Sequence, residues 1–377
     1  MASFESSDRI PPLPHFDDAT AKPLDWFMFE TARNDWIKIP VAATSADSPP
    51  VIVERSDASE ANDGNDDSDD NDSARRLLLN TWNIDAFGYE HAARLHGILR
   101  ATQQLAAANK TDNKTVVDPV ADVLFFQEVS GIAKRTLAAD TWIRANYFIS
   151  GLDYILKDVD HPFYNVILLS RQRFSAEPSV VPSILTLGPV WMVYYPSRYN
   201  RYVLCCDVTT SKQATLRLAN VHLDSLAIRP SLRPRQLEIV SAMLKCSGLA
   251  AGLVAGDFNP VIPEEDDGLV QANGLVDCWE LLTERENDGN SSERPKDPGF
   301  TWGVDGKQRF PPIRMDKVVI TNSSPLLQPK RIQVMHPKTV AIEVPTRTND
   351  VKAADNSDPP QIAWSDHSGL AVTFCVG

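Results

Sequence analysis

The sequence predicts an α/β domain that begins at about residue 75 and contains at least eight strands. Short runs rich in β-branched and aromatic residues are typical of strands, and two longer segments repeat apolar residues at helical spacing. No repeat of roughly 20 to 50 residues is visible, which argues against a solenoid. The strand-like runs are RLLLNTWNID, DVLFFQEV, YNVILLS, RYVLCCDV, TLRLANVHLD, LVAGDF, RMDKVVI and SGLAVTFCV.

The chain before this domain is predicted to consist of an arm and a linker. Residues 1–53 are expected to form a Pro-rich and aromatic arm that is mostly irregular. Its stretch LDWFMFETARNDWIKIP should pack on the main body, with partner binding as the alternative. Residues 54–74 are expected to be an acidic disordered linker, since ERSDASEANDGNDDSDDND holds too little apolar surface to offset chain entropy. A docking tail is the alternative.

Two amphipathic helices are predicted between the strands. In YEHAARLHGILRATQQLAAAN, residues such as Leu95, Leu99 and Ala106 recur at spacings of three and four. In RQLEIVSAMLKCSG, Leu237 and Leu244 lie on one such stripe, and a glycine follows to end the helix. Residues 75–377 are therefore expected to form one α/β domain.

Composition indicates an intracellular, soluble protein. The amino terminus lacks an apolar segment behind a basic start, and no apolar run approaches the roughly 18 to 20 residues of a membrane span. Five cysteines without a CxxC pair favour reduced core thiols over disulfides or a zinc site. The formal net charge of −13 argues superficially against a polyanionic substrate, but much of it lies in the acidic segment.

Polar residues follow or end the predicted strands. In LVAGDFNP, Asp257 and Asn259 stand one residue apart after an apolar run, and alternate residues of an extended chain point to the same side. Other strand-like runs end the same way, so we expect these side chains to meet in one place. The residues are Asn83, Glu128, His222, Asp257, Asn259, Asp316, Asp366 and His367.

Each of these residues has an ordinary explanation when it is taken alone. Asn83 would cap a strand end, Glu128 would be a charge at the rim, and His222 would be a hydrogen-bonded core histidine. Asp316 would form a surface salt bridge worth less than about 1 kcal/mol, and Asp366 would cap a turn. Together they are harder to explain, because buried carboxylates need a cation or hydrogen bonds to compensate them.

The ligand types predict which cation would bind. Carboxylate and amide oxygens without a cysteine cluster suit Mg²⁺, and Mn²⁺ would be able to replace it. Zinc is disfavoured. A magnesium ion beside a histidine and a water-positioning aspartate is suited to hydrolysis of a phosphate ester.

The strings TWN, QE, HLDS, GDFN, RMDKV and SDH, in this order over residues 81–367, resemble the endonuclease/exonuclease/phosphatase superfamily of Mg²⁺-dependent phosphoesterases. Within it, TWNID, PSRYNRYVLCCDV to VHLDS, FTW and IRMDKVV look most like the tyrosyl-DNA phosphodiesterase 2 branch. The resemblance implies a four-layer α-β-β-α sandwich of two packed sheets flanked by helices. It places the site at the edge where strands end.

The resemblance also implies the metal ligands. Glu128 is expected to be the principal Mg²⁺ ligand, with Asn83 in support and Asp366 in the outer shell of the ion.

The resemblance gives the catalytic roles to five further residues. Asp257 is expected to orient and deprotonate the attacking water, and Asn259 to hold that water or a phosphate oxygen. His367, fixed by Asp316, is expected to donate to the phosphoryl oxygens, and His222 to contact the phosphate from the other side.

Basic and aromatic residues near these motifs predict substrate contacts. Arg201 and Arg233 are expected to bind the substrate, and Trp302 to stack on a nucleobase or else to fill the core. A wider basic rim would steer a polyanion, with scattered solvated charges as the alternative. Its members would be Arg198, Arg201, Arg229, Arg233, Arg235, Lys307, Arg309, Arg314 and Lys317.

The implied activity is that of a 5′-tyrosyl-DNA phosphodiesterase in DNA repair, acting as a monomer on single-stranded or frayed DNA 5′ ends in the nucleus. The alternatives are another phosphoesterase of the superfamily, namely an abasic endonuclease, an RNA exonuclease, or an inositol-phosphate or phospholipid hydrolase. A catalytically inactive binding scaffold is the third hypothesis.

Overall fold

Two β-sheets pack face to face in the computed structural model, and helices cover their outer faces. The structure describes residues 10–41, 75–108, 120–157, 163–287, 298–322, 326–341 and 361–377. The four-layer α-β-β-α sandwich predicted from the sequence is therefore confirmed. No helix in these ranges is both long and apolar enough to cross a membrane.

The first sheet has eight strands, in the order β1-β9-β10-β11-β12-β14-β13, with β8 paired to β9. Strands β11 and β12 are parallel, and the strands that flank this pair are antiparallel to it. The bounds are β1 Thr20–Leu24, β8 Phe174–Ser175, β9 Leu185–Tyr194, β10 Tyr202–Thr209, β11 Thr215–His222, β12 Leu249–Asp257, β13 Leu275–Asp277 and β14 Asp316–Thr321.

The second sheet also has eight strands, in the order β15-β18-β4-β5-β7-β6-β2-β3, with the parallel pair β4 and β5 near its centre. Two short strands, β16 (Thr339–Ala341) and β17 (Gln361–Ala363), pair separately. The bounds are β2 Trp26–Glu30, β3 Asp35–Ile39, β4 Arg76–Asn83, β5 Val123–Val129, β6 Tyr147–Ser150, β7 Tyr164–Ser170, β15 Leu327–Met335 and β18 Gly369–Val376.

Helices lie on both outer faces. The second sheet is covered through a cluster that includes residues of α1, α2 and α3, and the first sheet through one that includes α5 and α7. The bounds are α1 His91–Ala108, α2 Gly131–Ala139, α3 Thr141–Asn146, α4 Leu152–Lys157, α5 Arg233–Leu244, α6 Pro263–Asp266, α7 Leu269–Ala272 and α8 Cys278–Asn287.

The main core lies between the sheets and is built from alternate residues of strands in both. Leu79 and Phe125 of the second sheet and Leu204 and Leu253 of the first are fully buried in it. All five cysteines are free, as predicted, and three of them are buried.

All eight predicted strand runs and both predicted helices are present. The prediction of a mostly irregular arm is wrong over residues 20–39, which form β1, β2 and β3. Strand β1 pairs with β9 of the first sheet and β2 pairs with β6 of the second, so this segment belongs to both sheets. It does pack on the main body, since Trp26 is fully buried. The acidic linker, residues 54–74, lies outside the described residues.

The two central parallel pairs set the position of the site. Their carboxyl ends lie at one end of the sandwich, where β4 ends at Asn83 and β12 at Asp257. The register opposes His222 to Asp257 and Asp257 to Asp316 on neighbouring strands. The predicted residues of the first sheet are therefore side by side.

Candidate active site

The site spans the seam between the two sheets. The first sheet supplies His222, Asp257 and Asp316, and the second supplies Asn83 and Glu128. The link across the seam is direct, since Asn83 Nδ2 donates to Asp257 Oδ2 at 3.0 Å and lies 3.4 Å from Glu128 Oε1. The structure thus brings together side chains that lie far apart in sequence, from Asn83 at the end of β4 to Asp316 at the start of β14.

Asp257 is fixed by the turn that follows its strand. Its Oδ1 accepts a hydrogen bond from the Asn259 backbone N–H at 2.9 Å, and Asn259 adopts a left-handed φ of 47°. The Asn259 amide group donates to the Leu223 carbonyl at 3.1 Å. Asp257 Oδ2 is left facing His222 Nε2 at 3.4 Å and His367 Nε2 at 3.8 Å. Burial raises the pKa of Asp257 to about 7, against the opposing pull of His367.

Glu128 sits in a β-bulge. Strand β5 pairs with β7 through Phe126 and Val129, so Gln127 and Glu128 together oppose a single residue of β7. Glu128 takes a left-handed φ of 55°, which is uncommon for a residue with a side chain. Its Oε2 accepts from the Ala86 N–H at 2.9 Å. Burial raises the pKa of this carboxyl group, although the hydrogen bond from the Ala86 N–H and the charges of Arg201 and His367 partly lower it.

Asn83 presents its amide nitrogen to the two carboxylates. Its oxygen accepts a hydrogen bond from the Asp85 N–H at 3.1 Å. The predicted role of Asn83 as a metal ligand requires an oxygen donor, so the amide would have to turn over to bind a cation. In the arrangement observed, Asn83 holds Glu128 and Asp257 together.

His367 and Asp316 form a buried pair. His367 Nδ1 lies 2.8 Å from Asp316 Oδ2, and Asp316 is fully buried. Burial alone would lower the pKa of His367, but the Asp316 and Asp257 carboxylates raise it well above its usual value. The Ser365 hydroxyl accepts from the His367 N–H at 3.0 Å and donates to the Asn83 carbonyl at 2.6 Å. The two carboxylates therefore favour the imidazolium form of His367, whose Nε2 lies 3.8 Å from Asp257 Oδ2.

His222 has the opposite electrostatic character. Its Nδ1 lies 3.0 Å from Arg201 Nη1, and because a guanidinium only donates, Nδ1 must accept. The ring proton is then on Nε2, which faces Asp257 and, at 3.7 Å, Glu128. Burial and the positive charges of Arg201 and His367 hold the pKa of His222 well below its usual value. His222 is thus a neutral hydrogen-bond donor.

The residues around Asp257 fit a hard divalent cation. Donor atoms of Asp257, Asp316 and His367 lie within 4.8 Å of one another, but the close hydrogen bond between His367 and Asp316 marks those two as an acid-base pair. Glu128, with 13% of its side chain exposed, is less buried than these three residues. Oxygen donors of this kind, crowded together where burial disfavours their charge, suit Mg²⁺ or Mn²⁺.

The predicted substrate residues have different outcomes. Arg201 is at the site and contacts His222 and the Ser225 hydroxyl. Trp302 is half-buried and donates from Nε1 to the exposed Asp366 at 3.3 Å. The prediction for Arg233 is wrong, because Arg233 is only 2 % exposed and forms a bidentate ion pair with Asp266 at 2.8 Å.

The predicted basic rim is largely neutralised by carboxylates. Arg229 binds Glu264 at the surface, and two other members share the buried Asp277. These charges form no continuous positive rim among the described residues, and five of them are paired with carboxylates rather than solvated singly, as the alternative expected. Rim members with a carboxylate oxygen within 3.1 Å are Arg229, Arg233, Arg235, Arg314 and Lys317.

Two residues of the site were not anticipated from the sequence. Phe163 stacks on His222 with ring centroids 5.8 Å apart and lies 4.6 Å from the Arg201 guanidinium, so it forms one wall of the cleft. Nothing in the sequence distinguishes Phe163 from other aromatic residues next to strands. Ser365 precedes the Asp-His pair of WSDHSGL, and its position there was a usable signal.

The chain was compared with known families, curated proteins and solved structures. The model of the "Endonuclease/Exonuclease/phosphatase family" matches residues 81–367. No curated protein matches the chain.

TDP2 of D. rerio, complexed with single strand DNA product, has a TM-score of 0.53 and 19% identity, over 79% of this chain and 98% of that one. A humanized D. rerio TDP2 with 14 mutations has a TM-score of 0.53 and 18% identity, over 80% and 99%. TDP2 from C. elegans has a TM-score of 0.51 and 17% identity, over 80% and 75%. At these identities the likeness concerns the fold.

Proposed function

Because the chain belongs to the endonuclease/exonuclease/phosphatase family, we propose that it is a divalent-metal-dependent phosphodiesterase that removes tyrosyl groups from DNA 5′ ends and leaves a 5′ phosphate. Members of this family are hydrolytic nucleases and phosphatases. The observation that carries the proposal is the convergence of Asn83, His222 and His367 on one oxygen of Asp257, at 3.0 to 3.8 Å.

Glu128 would hold the cation, with Mg²⁺ as the expected ion and Mn²⁺ as its substitute. Asn83 would join through its oxygen after its amide turns over, and Asp366 would lie in the outer shell. When bound, the ion supplies positive charge next to the scissile phosphate and neutralises charge that develops there.

Asp257 orients the attacking water and accepts its proton. A carboxyl group whose pKa is about 7 can take up a proton and still be ionised in a large fraction of molecules at neutral pH. The turn through Asn259 fixes one Asp257 oxygen, and the water would bind to the other, which also accepts a hydrogen bond from Asn83. In-line attack then depends mainly on this positioning and on the charges around the phosphoryl group.

The two histidines act on the phosphoryl oxygens from opposite sides. His367 donates a charged hydrogen bond from Nε2 while Asp316 fixes its other nitrogen. His222 donates from a neutral ring whose proton is held on Nε2 by Arg201. Donors that are already in place for the transition state lower its energy without reorganisation.

A tyrosyl leaving group suits this set of residues. A phenol has a pKa of about 10, so it departs as an anion with little help from an acid. An alkoxide leaving group would need a general acid, and His367 is the only imidazole in the described part of the cleft that is held charged. Trp302 and Arg201 are the expected contacts with the substrate.

Nucleic acid is the expected substrate class, and a nuclear monomer the expected state. The D. rerio TDP2 that shares this fold was solved with single strand DNA product, which supports the proposal. The neutralised basic residues imply that the grip on a long polyanion is modest, so a short DNA end fits the site better than an extended duplex.

A panel of substrates tests the proposal. Purified protein is incubated with a 5′-tyrosyl oligonucleotide, an abasic duplex, single-stranded RNA, inositol polyphosphate and a phospholipid, with Mg²⁺ and with EDTA. Metal-dependent tyrosine release that is lost in Asp257→Asn is the expected result. Turnover of only one of the other substrates would reassign the chain within the family, and inertness toward all five would favour a binding scaffold.

A further inference from the structure

The bulge that carries Glu128 is supported from the opposite sheet. Asn220 is in β11 of the first sheet, two residues before His222, and is fully buried. Its Nδ2 crosses the core and donates to the Phe126 carbonyl at 3.1 Å and to the Val166 carbonyl at 2.9 Å. These two residues are the last regular pair of β5 and β7 before the bulge. Both amide protons of Asn220 are thus used at the base of the bulge.

The oxygen of the same amide is also engaged. Asn220 Oδ1 accepts from Gln127 Nε2 at 2.7 Å, and Gln127 is the other residue of the bulge. Gln127 in turn donates to the Thr81 hydroxyl at 3.0 Å on strand β4. A single buried side chain of the first sheet therefore binds three groups of the second, two of them backbone carbonyls.

Strand β12 runs close to the bulge and to its neighbouring strand β11. Gly256, directly before Asp257, has a φ of 136°, and a Cβ there would lie 2.0 Å from the Val221 carbonyl oxygen and 3.1 Å from Gln127 Nε2. Glycine is therefore required in β12 where the strand passes the bulge. The polar contacts at Asn220 are embedded in a tightly packed layer.

We propose that Asn220 is a positioning residue for Glu128, because it locks the bulge that turns the Glu128 carboxylate into the cleft. A left-handed φ at a glutamate persists only where the surroundings impose it, and bulges beside active sites re-aim side chains. Without the Asn220 amide, strands β5 and β7 lose their shared donor at the bulge. Regular pairing would then turn residue 128 away from Asp257.

The inference rests on the proposed function in one respect, namely that Glu128 holds the divalent cation. A group that orients a ligand in this way typically changes metal affinity by about 10- to 100-fold when it is removed. This role differs from general support of the core, because the loss of the Asn220 amide should weaken cation binding even when no substrate is present.

The test compares Asn220→Leu with Leu218→Ala. Asn220→Leu keeps the size of the side chain and removes its three hydrogen bonds. Leu218 is on the same strand, is fully buried in the core between the sheets, and lies in regular strand pairing opposite Cys206 and Leu253 of its own sheet. Mn²⁺ binding is measured by calorimetry without substrate, Tm by thermal unfolding, and half-saturating Mg²⁺ by tyrosine release. If Asn220→Leu does not fold, Asn220→Ser takes its place.

The expected result separates the two variants. Asn220→Leu should raise the Mn²⁺ Kd and the half-saturating Mg²⁺ concentration by about 10- to 100-fold, and added Mg²⁺ should restore kcat with little change in the KM for oligonucleotide. Leu218→Ala should lower Tm while Mn²⁺ Kd stays within about twofold of wild type, because the bulge is intact.

Three outcomes would overturn the proposal. A folded Asn220 variant with wild-type Mn²⁺ affinity would show that the amide does not position Glu128. Equal weakening in Leu218→Ala at an equal loss of Tm would show a general structural effect. A wild-type chain that binds no Mn²⁺ would overturn the metal role of Glu128 as well, and so the proposed function.

Discussion

Asp316→Asn tests the electrostatic role of the buried histidine pair. The replacement keeps the shape of the side chain but removes the negative charge that lies 2.8 Å from His367 Nδ1. The pair is almost entirely buried, with exposed side-chain fractions of 0% for Asp316 and 7% for His367, so solvent screens it little. The imidazolium should therefore lose most of its stabilisation.

The size of the effect follows from the bond that is lost. A hydrogen bond between charged groups contributes about 1.5 to 3 kcal/mol. If the charge on His367 stabilises the transition state, the loss corresponds to a fall in kcat of about 10- to 150-fold. Since Asp316 raises the pKa of His367, its removal lowers that pKa. The alkaline limb of the kcat profile should therefore move to lower pH.

The assay is steady-state tyrosine release from a 5′-tyrosyl oligonucleotide at saturating Mg²⁺ between pH 5 and pH 10. Asp277→Asn is the matched control, because Asp277 is a buried acid of the same sheet that pairs with Arg314 and Lys317. It should destabilise the fold without moving the pH profile. A kcat within twofold of wild type in Asp316→Asn, or an equal shift of the profile in Asp277→Asn, would refute this reasoning.

Four further results are expected. The pKa of Asp257 is raised to about 7, so the metal-free fold should lose stability as the pH rises from about 4 through 7. Mg²⁺ should therefore raise Tm more at pH 8 than at pH 5, and an equal rise at both would contradict this. Gly256→Ala should lower the free energy of unfolding in urea by about 2 to 4 kcal/mol, because its Cβ would overlap the Val221 carbonyl of the adjacent strand β11. A cost below about 1 kcal/mol would show that β11 and β12 can shift to make room for the methyl group. Arg233→Met should lower the free energy of unfolding by about 3 to 5 kcal/mol, since the Asp266 charge would be left buried and unpaired. The KM for oligonucleotide should not change, and a raised KM would restore the predicted role of Arg233 in substrate binding. The slope of log KM for oligonucleotide against the logarithm of the salt concentration should stay below about 2, because so few rim cations are unpaired. A steeper slope would indicate that the paired basic residues also contact the substrate.

The residues of the candidate site were predictable because their signal is local. Asp257 and Asn259 stand at alternate positions after an apolar run, and parallel strands place their carboxyl ends at one edge. The same rule found Glu128 and His222 at the ends of β5 and β11. Their convergence needed only the assumption that buried carboxylates share a compensating partner.

Strands β1, β2 and β3, which the sequence analysis did not predict, have no such local signal. Residues 20–39 look like an aromatic arm because their partners are far away in sequence; β1 pairs with 190–194 and β2 with 148–150. Strand formation there depends on packing against existing sheets rather than on local propensity.

The roles of individual polar groups also depend on distant partners. Arg233 binds Asp266, which is 33 residues away on a short helix, and nothing in the sequence pairs the two. The left-handed Glu128 is likewise imposed by the bulge and by Asn220 rather than by its neighbours in sequence. Sequence patterns identified the groups at the site, whereas the structure was needed to separate cleft residues from structural ion pairs.

The most direct measurement is hydrolysis of a 5′-tyrosyl oligonucleotide in ¹⁸O-labelled water, with Mg²⁺, by the wild type and by Asp257→Asn. Attack of an Asp257-bound water on phosphorus predicts one labelled oxygen in the 5′ phosphate, an unlabelled tyrosine phenol, and little product from the variant. Label in the tyrosine, release that persists in EDTA, or full activity of Asp257→Asn would contradict it.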